Sequence, residues 1–409
     1  MRIFTRFRRM FLVGIAAILF APFCYAGGWE RVLPLTGVWG LHITKQGTML
    51  ASSYTVNASD GIYYSDDRGT TWVRAEVEDH NYTAFFETDD YIFALGYGCY
   101  MARSADGGHT WSVIDYSNLM EGIIASSDLD YTACYAMTQK DGVLYAADFA
   151  GGVIFSEDKG DTWQHAEDSF FVVDNGGKGT THQVIYNIDT INDRILAFGL
   201  YEVYEYFPEF DKWTTLRYDS NCMSVSVKHK GELYCARAIE NSDAAVPFIE
   251  HTADGDYWNF TNRPEGLDNN YVRAMGSDGK RLVVGTIRNG IYHSHDDGET
   301  WESVDPESFP QLLPDIPELA DLKLSILNIR IDADYIYVAA YASEYETNTF
   351  PGVYRFPLAD LTLVPESVDK VTLDNAASAT DDAYTLDGRR ADAANSRGIV
   401  VTKQGKIIQ

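Results

Sequence analysis

The stretch from Tyr271 to Trp301 shows the pattern that organises the chain. Val272-Arg-Ala-Met is a short apolar run, and Ser277 to Lys280 supplies turn residues. Arg281-Leu-Val-Val-Gly-Thr is a second run, Gly290-Ile-Tyr-His-Ser a third, and Trp301-Glu-Ser-Val a fourth. Runs this short, bounded by Gly, Asp and Ser, predict strands joined by tight turns. The pattern recurs, with first strands predicted to start near Val38, Thr83, Thr132, Gln183, Met223, Val272 and Ile326. Four short strands repeated about every 40 to 50 residues are the signature of a propeller blade.

Four of the units carry one punctuation mark between the third and fourth strands. It reads Ser-x-Asp-x-Gly-x-Thr-Trp, on Ser65, Asp67, Gly69 and Trp72; Ser104, Asp106, Gly108 and Trp111; Ser156, Asp158, Gly160 and Trp163; and Ser294, Asp296, Gly298 and Trp301. Degraded copies end at Trp213 and Trp258. Each residue type has a structural use. The Gly takes a left-handed turn conformation at little cost. The Asp and the hydroxyls bond the turn's own backbone. The Trp packs between neighbouring blades, burying roughly 150–250 Å². The seventh unit ends at Gly352-Val-Tyr-Arg-Phe with no box and no Trp. Trp29 to Leu35 is expected to supply its missing fourth strand, so that the two ends of the repeat array close the ring and leave no free sheet edge. Of the eight tryptophans, only Trp39 has no place in this scheme.

The boxes resemble the Asp-box, or bacterial neuraminidase repeat, family of β-propellers, over about residues 27–365. That family includes sialidases, xyloglucan-cleaving glycosidases, sortilin-type receptors and photosystem II assembly factors. The resemblance agrees with the fold that the repeats predict: all-β, a seven-bladed β-propeller of four-stranded blades, closed by the N-terminal strand, with a short C-terminal β tail. It also implies that the box marks the fold and lies away from the functional face, so Asp67, Asp106, Asp158 and Asp296 are expected to be structural. Asp296-Asp297-Gly298 looks a little like a Ca²⁺ loop but lacks the distal Glu. No metal or other cofactor is expected.

Residues 1–26 read as a secretory leader. Arg2, Arg6, Arg8 and Arg9 precede an apolar run from Phe11 to Phe23, and Cys24-Tyr-Ala26 offers a cleavage site. Residues 366–383, rich in Ala, Asp, Ser and Thr, read as a linker. The segment 384–409 resembles the C-terminal segment of proteins exported by the type IX route, with turns expected at Asp387-Gly388 and Gln404-Gly405-Lys406. These features predict a protein outside the cytoplasm. The net charge of −28 on 409 residues argues against nucleic acid or anionic lipid as partner. No membrane span is expected in the mature chain, and a monomer is. Disulfides are permitted in such a compartment. The expected pairs are Cys222 with Cys235, which flank a hairpin turn at Lys228 to Gly231, and Cys99 with Cys134.

Function is expected on the face opposite the boxes, in the loops between strands two and three and between blades. Tyr82, Tyr97, Phe149, Tyr271 and Tyr341 are the candidate ligand-binding residues, because flat aromatic faces beside carboxylates suit a glycan or peptide. A glycosidase would need two carboxylates about 5–10 Å apart; Asp79, Asp128 and Asp148 are the candidates. Arg273 and Arg288 could belong to the arginine cluster that the sialidase resemblance would require. The reading is a glycan- or protein-binding scaffold module at the cell envelope. The alternative is a glycoside hydrolase, sialidase-like or another, using these carboxylates.

Overall fold

The computed structural model describes residues 23–24, 28–35, 37–53, 61–120, 132–166, 172–174, 180–182, 184–200, 202–210, 212–218, 223–237, 249–264, 272–287, 289–305, 309, 324–341 and 351–361, and four short strands after residue 382. Residues 1–361 form one compact unit and residues 362–409 another.

The first unit is a seven-bladed β-propeller of antiparallel sheets. The innermost strands are Val38–Ile43, Tyr82–Glu87, Cys134–Lys140, Ile185–Ile191, Met223–His229, Val272–Ser277 and Ser325–Ile331, each starting within two residues of the expected position. Each innermost strand lies beside the next, and the seventh returns to the first. They therefore surround an axis, with the sheets radiating from it.

The ring closes as the sequence predicts. Glu30–Leu33 is the outer strand of the seventh sheet, with Glu30 opposite Arg355, Arg31 opposite Tyr354 and Leu33 opposite Val353. Glu30 Oε2 accepts from Arg355 Nε at 2.7 Å. Gly352, at φ +149°, lies so close to the closing strand that a Cβ there would sit 2.2 Å from the Leu33 carbonyl oxygen. A further short strand, Phe23–Cys24, pairs outside Glu30–Leu33. It falls in the expected leader, and cleavage after Ala26 would leave this sheet four-stranded like the others.

The seven outer-strand tryptophans divide the seven blade interfaces among them. Trp72 packs between blades seven and one, Trp111 between one and two, and Trp163 between two and three. Trp213, Trp258 and Trp301 follow in turn, and Trp29 packs between six and seven. Trp29 is fully buried, 5.1 Å from the rings of both Phe309 and Phe356.

Cys99, Cys134 and Cys235 are buried free thiols, against the expected disulfides. The hairpin turn at Lys228 to Gly231 is present, but its register sets Cys235 opposite Ser226, four positions from Cys222. Flanking a turn at unequal distances does not bring two cysteines face to face. Cys222 itself lies outside the described residues. Cys99 and Cys134 share one core cluster without bonding, and burial pushes both thiols up, Cys99 to about 12.

In the second unit, Ala383–Thr385 lies between Arg390–Ala391 and Val400–Thr402, and Ile407–Ile408 completes a four-stranded sheet. Tyr384 pairs with Arg390 and Val401 with Ile407; the expected turns at Asp387-Gly388 and Gln404-Gly405-Lys406 lie outside the described residues. No helix among the described residues is long and apolar enough to cross a membrane.

Candidate functional site

The box turns lie at one end of the innermost strands. In each intact copy the carboxylate is saturated from within the turn. Asp106 accepts from Ser104 Oγ at 2.8 Å, Thr110 N at 3.0 Å and Thr110 Oγ1 at 2.6 Å. Partial burial alone would raise its pKa, but these bonds outweigh it and hold it at about 2. Bonds from Thr162 hold Asp158 equally low, at about 2. Asp67 and Asp296 repeat the geometry. Asp297, of the calcium-like stretch, accepts from His229 Nε2 at 2.9 Å and from Lys230 Nζ, joining blades five and six.

The other end differs. In all seven blades the pairing between the innermost and second strands slips by one residue at its start. The extra residues are Trp39, Thr83, Tyr135, Tyr186, Ser224, Arg273 and Leu327. A β-bulge leaves its residue unpaired and re-aims the side chain. All seven line a channel cavity of about 560 Å³, a size that suits a small ligand of ~300–1,000 Å³ class pockets. Trp39, the tryptophan without a place in the repeat, is a channel residue.

Aromatic rings crowd this mouth. Phe149, from the turn after the second strand of blade three, meets Tyr186 edge-on at 5.5 Å and Tyr135 at 6.2 Å. Trp39 meets Tyr341 edge-on at 6.5 Å. Arg273 is largely buried among them; burial lowers its pKa, while the phenols of Tyr135 and Tyr341 act in the opposite direction. Deeper in, burial brings Arg330 down to about 10. Both arginines keep part of their surface open, facing the cavity they line.

Of the candidates read from sequence, the structure therefore gathers Phe149, Tyr341 and Arg273 at one place. Tyr82 goes elsewhere: it is fully buried between blades one and two, its hydroxyl donating to the Glu78 carbonyl at 3.3 Å. Tyr97 bridges to Ala133 between blades two and three. Asp79 is exposed and ion-paired with Arg74. Asp148 is fully buried; its carboxylate accepts from Thr132 Oγ1, from Tyr116 Oη at 3.0 Å, and from the amides of Ala150 at 3.0 Å and Gly151 at 2.7 Å. Burial raises its pKa against these four donors, and it acts as a bolt between blades two and three. Asp128, Tyr271 and Arg288 lie outside the described residues. Trp39, Tyr135 and Tyr186 join the site without having been candidates, and their one sequence signal is an innermost strand opening on a large side chain; Arg330, next to last in Ser325–Ile331, carries no such signal.

No curated protein matches the sequence. A family described as BNR/Asp-box repeat matches residues 63–74, the first box. Among solved structures, YCF48 from Cyanidioschyzon merolae aligns at a TM-score of 0.52 and 14% identity, over 80% of this chain and 98% of its own. The extracellular domain of the putative one component system BT4673 from B. thetaiotaomicron aligns at 0.52 and 14%, over 81% of this chain. The Niastella koreensis GH74 enzyme aligns at 0.52 and 15%, over 78% of this chain. This chain spans only 40% and 52% of those last two structures. At such identities the likeness is one of fold, and the fold is shared by an enzyme and by the extracellular domain of a one component system. Residues 1–361 form a seven-bladed β-propeller whose first box matches the BNR/Asp-box repeat.

Proposed function

We propose that the protein is a glycan-binding module working at the cell envelope, with the channel mouth as its site. The observation that carries this reading is the ring of bulged residues, which turns Trp39, Tyr135 and Tyr186 into one cavity beside Phe149 and Tyr341. Flat aromatic faces complement the C–H faces of sugar rings, and amide and hydroxyl groups between them complement sugar hydroxyls. A glycosidase needs a facing pair of carboxylates. Among the described residues lining the cavity there is one acid, Asp189, and it is held by Ser226 and Lys228. The leader at 1–26 and the type IX-like tail supply the route out of the cytoplasm.

The test is a glycan array probed with the full chain, run beside a screen of glycosidase substrates. Binding to a restricted set of glycans, lost in Trp39→Ala without loss of fold, is the expected result. Turnover of any glycoside would overturn the binding reading in favour of the hydrolase.

A further inference from the structure

The chain is strongly acidic, with a net charge of −28, yet the described wall of its channel is cationic. Asp189 is the one acid there among the described residues, and it is already engaged: Ser226 Oγ donates at 2.8 Å, Thr190 N at 2.7 Å, and Lys228 Nζ lies at 3.3 Å. Arg330 gives Nη1 to the Asn328 side-chain oxygen and the Ile329 carbonyl, each at 2.7 Å, and both acceptors are neutral. Arg273 feels two phenols and no carboxylate among the described residues. Asn187, 4% exposed, lines the same cavity, and its Nδ2 has no partner among the described residues.

Two cations with no counter-ion among the described residues, and an amide donor unmatched among them, are costly inside a protein. The cost is offset when a ligand brings the complement. A guanidinium presents parallel N–H groups that fit a carboxylate in two places at once. We propose, on the reading of the channel as a glycan site, that its ligand is an acidic sugar of the hexuronate class, with the carboxylate at Arg273 and the sugar ring among Trp39, Tyr135 and Tyr186. A peptide end fits less well. A peptide docking as an added strand would need a regular edge to pair with, and the bulges interrupt that edge at the start of the innermost strand in every blade.

The experiment is calorimetric titration of the full chain with oligogalacturonate and oligoglucuronate, their neutral hexose counterparts, and short peptides with free or amidated C-termini. The acidic sugars should bind at least tenfold more tightly than the neutral ones, and weaken as salt is raised. Arg273→Gln should lose roughly 10- to 100-fold toward the acidic sugars and distinctly less toward the neutral ones. Arg273→Lys should recover part of the loss. Circular dichroism and melting temperature confirm that both variants fold. Equal affinity for acidic and neutral sugars, with loss in Trp39→Ala, would overturn the proposal and leave the glycan site standing. Preference for the free-carboxylate peptide, or binding of no sugar at all, would overturn both.

Discussion

The two ends of the propeller repeat different things. At the box end the same residues recur in four blades, and each polar group is used inside its own turn: Ser to Asp, Gly amide to Ser, Thr to Asp, Trp indole to Gly carbonyl wherever that bond forms. At the channel end the same backbone event recurs in seven blades with seven mostly different side chains, among them a Trp, an Arg and two Tyr. A position that repeats its residue is doing the same structural job each time. A position that repeats its geometry but varies its residue is free to build one asymmetric surface. The box end therefore reads as scaffold and the channel end as site.

Two tryptophans break or sharpen that contrast most strongly. Trp29 belongs to the scaffold: it is fully buried, with its indole 3.4 Å from the Val304 carbonyl across the interface between blades six and seven. Trp29→Ala removes a core indole and should cost about 3–5 kcal/mol by urea denaturation. Trp39→Ala empties part of an existing cavity and should cost well under half of that. Equal losses would mean that Trp39 is a core residue and that the channel end is scaffold too.

A smaller effect is expected at a single box glycine. Gly108 has φ +97°, and a Cβ there would meet Leu50 Cδ2 of the preceding blade at 2.4 Å. Gly108→Ala should destabilise by about 1–3 kcal/mol, the cost of overpacking, read as a lower urea midpoint with an unchanged slope. An unaffected midpoint would show that the box turn is not wedged against its neighbour.

The boxes also carry a pH signature. Asp106 and Asp158 titrate at about 2 in the folded chain, below their ordinary 3.8. A depressed carboxylate stabilises the fold above its unfolded pKa, and that stability is lost as pH falls through the folded one. The wild-type protein should therefore weaken between about pH 4 and pH 2. Asp106→Asn with Asp158→Asn should be less stable at neutral pH and flatter across that window. A double variant with the wild-type slope would assign the acid transition to other carboxylates.

The scaffold was far more legible in the sequence than the site. Tryptophan spacing gave the blade count because every indole fills the same wedge between sheets, so its recurrence is a direct image of the geometry. The missing outer strand of the seventh blade pointed to Trp29 for the same reason. The bulges left no such mark, since a one-residue slip in register has no residue type of its own. Trp39 stood out only by failing to fit. Asp148 shows the converse: an acid in a strand-two-to-three turn reads as surface, but Tyr116 and Thr132, from the loop entering its blade, close over it. The cysteines fail for a related reason, because chain distance around a hairpin does not report which residues face across it.

The smallest expected effect is the most discriminating for the channel. Ser224 occupies in blade five the bulge position that Tyr135 and Tyr186 occupy in blades three and four. The backbone there accepts a tyrosine in two blades, and the cavity of about 560 Å³ gives the ring somewhere to go. Ser224→Tyr should therefore leave stability within about 0.5 kcal/mol, like a substitution on an open surface. It should still change glycan affinity, because the added ring intrudes on the ligand's space. A loss of stability of the size expected for Gly108→Ala would show that the bulges are packed as tightly as the boxes, and the difference between the two ends would disappear.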